Sequence, residues 1–363
     1  MICKGGLSMT YIIAEAGVNH NGCEKLAIEL VEAAYYSGAN AVKFQTFKAS
    51  KSITQKAVQA DYQIQNTGKT ESQLEMVSRL ELSYNTHHEL IARCNELGID
   101  FLSTAFDNES LDFLVNDLGL KTLKIASGEL TNAPFILKHA QTGCNLIVST
   151  GMAILGEIEM ALGIIAYGYL NPNGKEPAQN DFIAAYTSSE GKKILKEKVS
   201  LLHCTTEYPA PVEDVNLSAM DTMLNAFKLP VGYSDHTKGI AIPIAAVARG
   251  ARIIEKHFTL DKNMDGPDHK ASLEPDELAL MISSIRSVEQ AIGDGIKGAQ
   301  KSEIRNKSIA RKSLVAATYI QSGTVFTAEN LAVKRPGTGI SPYSYWDIIG
   351  SQATKDYSPD DLI

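Results

Sequence analysis

The sequence has little of what would commit it to several large classes of protein. Its five cysteines (Cys3, Cys23, Cys94, Cys144 and Cys204) are scattered, odd in number and form no CxxC pair, which fits reduced thiols rather than a disulfide framework. Positive charge is in deficit, with 34 Lys and Arg against 42 Asp and Glu for a formal charge of −8. No basic field is therefore present to hold nucleic acid or an anionic membrane surface. No apolar run approaches the roughly 18–20 residues of a membrane span, and the opening MICKGGLSMTYII has no apolar stretch of signal-peptide length. The expectation is a soluble cytoplasmic protein, with Met9 as a second possible start and the segment before it a dispensable tail. No GxGxxG turn follows the first strand-like segment, which argues against a doubly wound dinucleotide-binding sheet. The single tryptophan, Trp346, is expected to pack a small C-terminal domain.

What is present is a repeated alternation of short apolar runs with amphipathic stretches. Strands are expected at Tyr11–Gly17, Ala39–Phe47, Asp100–Phe106, Thr122–Glu129 and Asn145–Met152. A sixth, with its loop, covers Val199–Pro211, and two more cover Leu229–Tyr233 and Ala251–Ile254. Helices are expected between them, among them Glu24–Ser37, Thr70–Leu80, Asn85–Leu97, Ser110–Leu118, Ala133–Thr142, Ile154–Ala166 and Gly239–Arg249. Glu274–Ala291 reads as a closing helix, Lys48–Lys69 as a polar insertion and Tyr167–Lys198 as an elaborated connection. Roughly eight βα units in about 280 residues fit an α/β chain folded as a TIM (β/α)8 barrel. After residue 292 the texture changes to a polar linker, 293–303, and then to short β-like pieces over 304–363, a second domain small for an independent core.

In such a barrel, chemistry sits at the C-terminal ends of the strands. The residues expected there are Glu15, Lys43, Gln45, Lys124, Ser127, Glu129, Ser149, Tyr208, Ser234, His236 and His257. His236 and His257 each follow an apolar run. If the two runs are parallel neighbours, both imidazoles emerge on one rim, where they could bind a borderline divalent ion such as Mn²⁺ or could simply satisfy loop carbonyls. Lys43 and Lys124 interrupt apolar strands, and a buried ammonium needs a partner: an anion, or a salt bridge to Glu15 or Glu129. Ser127, Ser149 and Ser234 stand at matching strand ends, and lysines with hydroxyls make a reasonable phosphate cradle. Cys204 reads as a buried small side chain rather than a nucleophile.

The motifs AEAGVNHNG, AVKFQTF, KIASGE, STGM, HCTTEYPAP, GYSDHT and EKHFTLDKNMDGPDHKASLEP, with ARKSLVA and KRPGTGISP near the C-terminus, together resemble the sialic acid synthase family, the bacterial N-acetylneuraminate synthases and their legionaminate relatives. The resemblance runs from about Tyr11 to Ile363. It implies a TIM barrel joined to a small antifreeze-like (SAF) domain, exchanged between the subunits of a domain-swapped homodimer. It also implies condensation of phosphoenolpyruvate with a 2-acetamido sugar and release of phosphate. N-acetylmannosamine is the first reading of that sugar, and the 2,4-diacetamido-6-deoxy sugar of the legionaminate branch is the alternative. Mn²⁺ is the implied metal, with Mg²⁺ or Co²⁺ as alternatives, held by His236 and His257. Lys43, Lys124, Ser127, Ser149 and Ser234 match phosphoenolpyruvate contacts, while Gln45, Tyr208 and Asp268 match positions near the sugar. Arg335 matches an arginine reaching in from the partner subunit, and Glu15 and Glu129 match acidic positions beside the reacting centre. Thr206 stands where some members carry Asn, a departure that puts only that phosphate contact in question. Asp268 could instead cap a turn, and His269 is assigned only to a position behind the site. A non-enzymatic reading, an ice- or sugar-binding protein with a relict barrel, is opposed by the intact Lys43, Lys124, His236 and His257.

Overall fold

The structure, a computed structural model, describes residues 9–174 and 176–363; the expected dispensable tail and Cys3 lie outside the described residues. The chain divides into two compact units, one ending at Gly293 and one running from Asp294 to Ile363. In the first, β1 (Tyr11–Gly17), β2 (Ala41–Thr46), β3 (Asp100–Ala105), β4 (Thr122–Ile125), β5 (Asn145–Ser149), β6 (Val199–His203), β7 (Val231–Asp235) and β8 (Ile253–His257) pair in sequence order. β8 pairs in parallel with β1, closing an eight-stranded barrel of the TIM type.

The strands are apolar on both faces because both faces are covered. Outward residues such as Ile12, Val42, Phe44, Leu123, Leu146 and Ile254 join the large core shared with the surrounding helices. Inward, Ile13, Ala41, Leu102, Ile147, Leu202 and Ile253 form a separate apolar cluster that fills the barrel interior. Side chains on a strand repeat every two residues. The positions two further along are Glu15, Lys43, Thr104, Ser149, Cys204 and Glu255, all buried. The barrel thus has an apolar floor and, one layer above it, a layer of charge and hydroxyls.

The helices depart from expectation in three places. The stretch 110–118 is an α-helix, Asn108–Asp112, that continues as a π-helical turn, Phe113–Asp117. The connection 167–198 is helical: Leu155–Leu170 runs past the expected end, and Gln179–Thr187 and Ser189–Lys198 pack against it. Ser188 separates these two helices and caps the second, its hydroxyl accepting from the Gly191 N–H. The stretch read as a polar insertion, Lys48–Lys69, holds the short helices Ala49–Ser52 and Asp61–Thr67, and it is followed by Gln73–Ser78, inside the helix expected at Thr70–Leu80. The last of these is fixed by a capping box between Ser72 and Glu75. Among the described residues no helix is long and apolar enough to cross a membrane.

The second unit contains helix Lys301–Ala310, part of which falls in the stretch read as linker, and an antiparallel pair, β9 (Ser313–Ala316) with β10 (Leu331–Lys334). Its core is Ala316, Ile320, Phe326, Leu331, Ala353 and Tyr357. Trp346 is not in that core. It is 80% exposed and meets Tyr345 edge-on, because the small core is already filled by Phe326 and Tyr357.

On the outer side of β7 and β8, Lys256 donates to Asp235 at 2.6 Å, both fully buried, and also to the Thr237 carbonyl. Asp235 in turn accepts from the Thr237 N–H and hydroxyl. The pair ties together the ends of the two strands that carry His236 and His257. Removing one member leaves an uncompensated buried charge, at a cost of about 3–5 kcal/mol. Lys256→Met is therefore expected to lower the melting temperature by on the order of 10 °C. Asp235→Asn combined with Lys256→Met should cost measurably less than the sum of the two single changes. Additive losses in thermal melts would show that the pair is not energetically coupled.

Candidate active site

The charged layer is a connected set. Lys43 pairs with Glu15 at 2.6 Å and approaches Glu255 at 3.7 Å, while donating to the Thr104 hydroxyl at 3.1 Å. Lys124 donates to the Ser149 hydroxyl at 2.6 Å and lies 3.6 Å from Glu255. Glu255 also accepts from the Ser234 hydroxyl at 2.9 Å. Burial sets the protonation of this group, and the neighbours then divide it. Desolvation pushes Glu15 up to about 7 although Lys43 pulls the other way. Glu255 is also pushed up by burial, but Lys124 and Lys43 together outweigh this and hold it below the usual carboxylate range. Burial lowers Lys124, and Glu255 only partly offsets it; on Lys43 the carboxylates win and its value rises. Two carboxylates with values driven apart can take different roles in proton transfer.

Beside this set lies a hydroxyl-lined corner. Ser127 accepts from the Gly151 N–H at 3.0 Å, and its hydroxyl lies 3.1 Å from the Cys204 thiol. Thr206 holds a buried hydroxyl without a partner. Gly151 is required here by close approach, since a Cβ on it would sit 2.2 Å from the Thr206 Oγ1 and 2.9 Å from the Ser127 Oγ. Cys204 is buried, as expected, and burial raises its thiol, which disfavours the thiolate a nucleophile needs.

His236 and His257 do emerge side by side, ring centroids 5.6 Å apart, on the neighbouring strands β7 and β8. His236 Nδ1 bonds the Thr205 carbonyl at 2.6 Å, which fixes the ring and turns Nε2 toward the interior, the usual support for a metal-binding imidazole. His257 Nδ1 is buried with no hydrogen-bond partner, and the Asp268 carboxylate is 3.9 Å away. Burial holds both imidazoles below their ordinary value, His257 further lowered by His236, so both are neutral at pH 7. Two neutral imidazoles, one with a free buried nitrogen, fit a divalent cation. Among the described residues no cluster of three or more His, Cys, Asp or Glu could hold a metal, so the remaining ligands would have to be substrate oxygens or water.

A cavity of about 380 Å³ opens from His257. Gln45, Glu129, Tyr208, His257 and Asp268 line its barrel side. The Tyr208 ring packs 4.2 Å from His236 and 5.5 Å from His257. Asp268 does not cap the turn that follows it; its carboxylate faces the cavity, where burial raises it to about 6. Glu129 stands on the 3-10 turn Ser127–Glu129, accepting from Asn132 at 2.7 Å, and does not pair with Lys124. The insertion after β2 forms the far wall. Tyr62 packs 5.1 Å from the Tyr208 ring, and Asn66 donates to the carbonyls of Tyr208 and Pro267. His269 lies behind the cavity, bridging Thr259 at 2.7 Å and Asn21 at 3.3 Å. Arg335 is in the second unit, exposed, with Nε donating to the Ala310 carbonyl.

Residues 30–297 match the NeuB family, and residues 311–363 match the SAF domain. The chain belongs to the NeuB family. An N,N'-diacetyllegionaminic acid synthase of Campylobacter jejuni is 52% identical over 98% of this chain and 99% of its own length. A second protein of the same name, from Legionella pneumophila, is 44% identical over 97% of this chain and 93% of its own length. The crystal structure of an N-acetylneuraminic acid synthetase from Leptospira borgpetersenii in complex with citrate superposes with a TM-score of 0.66 at 33% identity, covering 83% of this chain and 91% of the other. The protein is accordingly an enzyme, a phosphoenolpyruvate-dependent carbon–carbon bond-forming synthase, and its family members condense phosphoenolpyruvate with an acetamido sugar.

Sequence reasoning missed Glu255, Thr104 and the insertion residues Tyr62 and Met76. Ending the last strand at Ile254 left Glu255 in a loop, whereas β8 continues to His257 and turns Glu255 inward. The signal was available in the spacing, because Glu255 precedes His257 by two. The central test of the charged layer is Lys124→Met, which keeps the length of the side chain and removes its ammonium. Loss of one buried anion contact of this kind costs about 3–4 kcal/mol, so kcat/KM for phosphoenolpyruvate is expected to fall about 10²- to 10³-fold. A fall of less than threefold in a folded variant would remove Lys124 from the anion site.

Proposed function

We propose that the protein condenses phosphoenolpyruvate with 2,4-diacetamido-6-deoxy-mannose and water to give N,N'-diacetyllegionaminate and phosphate. N-acetylmannosamine, the first reading from sequence, gives way to this sugar because the 52% and 44% identical relatives are both N,N'-diacetyllegionaminic acid synthases across nearly the full chain. The buried Lys43, Lys124, Glu15 and Glu255 set carries the catalytic part of the reading.

In this reading Lys43 and Lys124 neutralise the carboxylate and phosphate of phosphoenolpyruvate, with the Ser127, Ser149, Ser234 and Thr206 hydroxyls completing the anion site. Their placement in a water-poor barrel makes each contact stronger than it would be at the surface. His236 and His257 would hold the divalent metal, Mn²⁺ first and Mg²⁺ or Co²⁺ as alternatives, and its chemistry there would be Lewis-acid polarisation of the sugar aldehyde. Gln45, Tyr208 and Asp268 orient the sugar so that its aldehyde carbon meets the phosphoenolpyruvate methylene, and the new bond forms between those two carbons. Water then adds to the former enol carbon and phosphate leaves from the tetrahedral intermediate. Glu15, raised by burial, suits transfer of the water proton better than Glu255, which stays ionised between the lysines; Glu129, at the sugar cavity, is the second candidate. Phosphoenolpyruvate as substrate and four unbridged cysteines among the described residues support a cytoplasmic location.

We also assign Arg335 to the barrel of a partner subunit in a domain-swapped homodimer. The exposure of Arg335 and of the aromatic Tyr343 and Trp346 on the same unit supports this reading, since such groups gain from docking.

Phosphate release and 2-keto acid formation, assayed with phosphoenolpyruvate, Mn²⁺ and each sugar, decide the function. Turnover of neither acetamido sugar would end the synthase reading. His257→Phe should abolish saturable Mn²⁺ binding in calorimetry without substrates, and retained binding at the original affinity would take the metal away from His257. Coexpressed Arg335→Ala and His257→Ala subunits should recover part of the activity through mixed dimers that contain one intact composite site. Mixtures as inactive as either variant alone would place Arg335 outside the partner's site.

A further inference from the structure

The side of the cavity facing the barrel is polar, whereas the wall from the insertion carries an apolar patch. Helix Gln73–Ser78 and the turn that follows it present Gln73, Met76, Val77 and Leu80 to the cavity, spaced as i, i+3, i+4 and i+7, one face of a helix. Phe47 and Ile53 extend the apolar part of that face. Val77 and Leu80 also belong to a small apolar cluster with Val18, Phe47, Ala49 and Phe106, so this wall is packed from behind rather than loosely draped. Met76 is only 3% exposed, with its sulfur 3.2 Å from the Gln59 amide. The helix is locked by its capping box and by Arg79, which pairs in bidentate fashion with Glu71 at 2.6 and 2.8 Å. Within the lining, Phe47, Ile53, Met76, Val77 and Leu80 therefore form one apolar patch, held by the capping box and flanked by the polar Ser52, Gln63 and Gln73.

In the reading above the sugar aldehyde sits at His257, which lines the same cavity as Phe47, Met76, Val77 and Leu80, so the rest of the sugar lies within reach of this patch. Hydroxyls there would lose water and find no partner among Met76, Val77, Leu80 and Phe47, whereas methyl groups would be buried favourably. A 2,4-diacetamido-6-deoxy sugar offers two methyl groups that N-acetylmannosamine lacks at those carbons, one at C6 and one on the C4 acetamido group. We propose that the Met76, Val77 and Leu80 face, backed by Phe47, is the specificity surface of the site and selects a 6-deoxy acetamido sugar over one with free distal hydroxyls. This inference rests on the synthase reading above.

The test is the ratio of kcat/KM for the two sugars, measured in the unaltered enzyme and in Val77→Thr and Met76→Gln. Val77→Thr preserves shape and adds a hydroxyl on a half-buried position; Met76→Gln preserves length. The unaltered enzyme should prefer the diacetamido-6-deoxy sugar by tenfold to a hundredfold, the range an apolar pocket gives against an added hydroxyl. Each variant should reduce that ratio by fivefold or more, mainly through KM for the deoxy sugar, with KM for phosphoenolpyruvate unchanged. A general structural defect would instead lower kcat/KM for both sugars together, leave the ratio intact and overturn the assignment. An unaltered enzyme that prefers N-acetylmannosamine overturns it together with the choice of sugar proposed above, and leaves the condensation itself standing. Turnover of neither sugar brings down that reading and this inference with it.

Discussion

Everything at the mouth of this barrel depends on keeping two lysines and two glutamates out of water. Isolated charges in such a place would be prohibitively costly, and the layer is tolerable because each ammonium meets a carboxylate and donates to a hydroxyl: Glu15 and Thr104 for Lys43, Glu255 and Ser149 for Lys124. Burial raises Glu15 to about 7, so near neutrality part of its negative charge is lost and the lysines are incompletely compensated, which suits the anionic substrate proposed for this place. The overall charge of −8 is no obstacle, because the field that matters is local and enclosed by low-dielectric walls.

The same strand geometry explains why these groups are adjacent at all. An apolar floor at Ile13, Ala41, Leu102, Ile147 and Ile253 fixes the pleat, and the period of two then aims Glu15, Lys43, Thr104, Ser149 and Glu255 into one layer. A one-residue slip in any strand would exchange a site residue for a core residue. Catalytic placement and barrel packing are therefore the same constraint. On the outer side of β7 and β8 the alternation gives the buried Lys256–Asp235 pair instead, so the two histidine-bearing strand ends are held from behind as well as from within.

Much of this was legible in the sequence. Strand-interrupting lysines and histidines just past apolar runs placed Lys43, Lys124, His236 and His257 on one rim, because a closed parallel barrel leaves such residues nowhere else to point. The rest was hidden for a physical reason: it depends on contacts between distant segments. The Lys48–Lys69 insertion has no strong periodicity, and its role emerges only when Tyr62 meets Tyr208 and Asn66 meets Pro267. The Tyr167–Lys198 stretch read as a loop because its Ser, Pro and Gly content obscured two short helices. Trp346 was expected to pack the small unit, whose core is filled instead by Phe326 and Tyr357.

The two walls of the cavity therefore answer to different demands. The barrel wall must present groups that handle charge and protons, and those groups come from strand ends whose register the whole core enforces. The opposite wall comes from an insertion outside the barrel, held by its own caps and its own small cluster. It can change composition without disturbing the register of Lys43 or His257. A scaffold divided in this way can keep one condensation chemistry while the insertion adapts to the far end of the sugar. Separation of chemistry from selection follows from which parts of the chain the barrel's pleat constrains and which it leaves free.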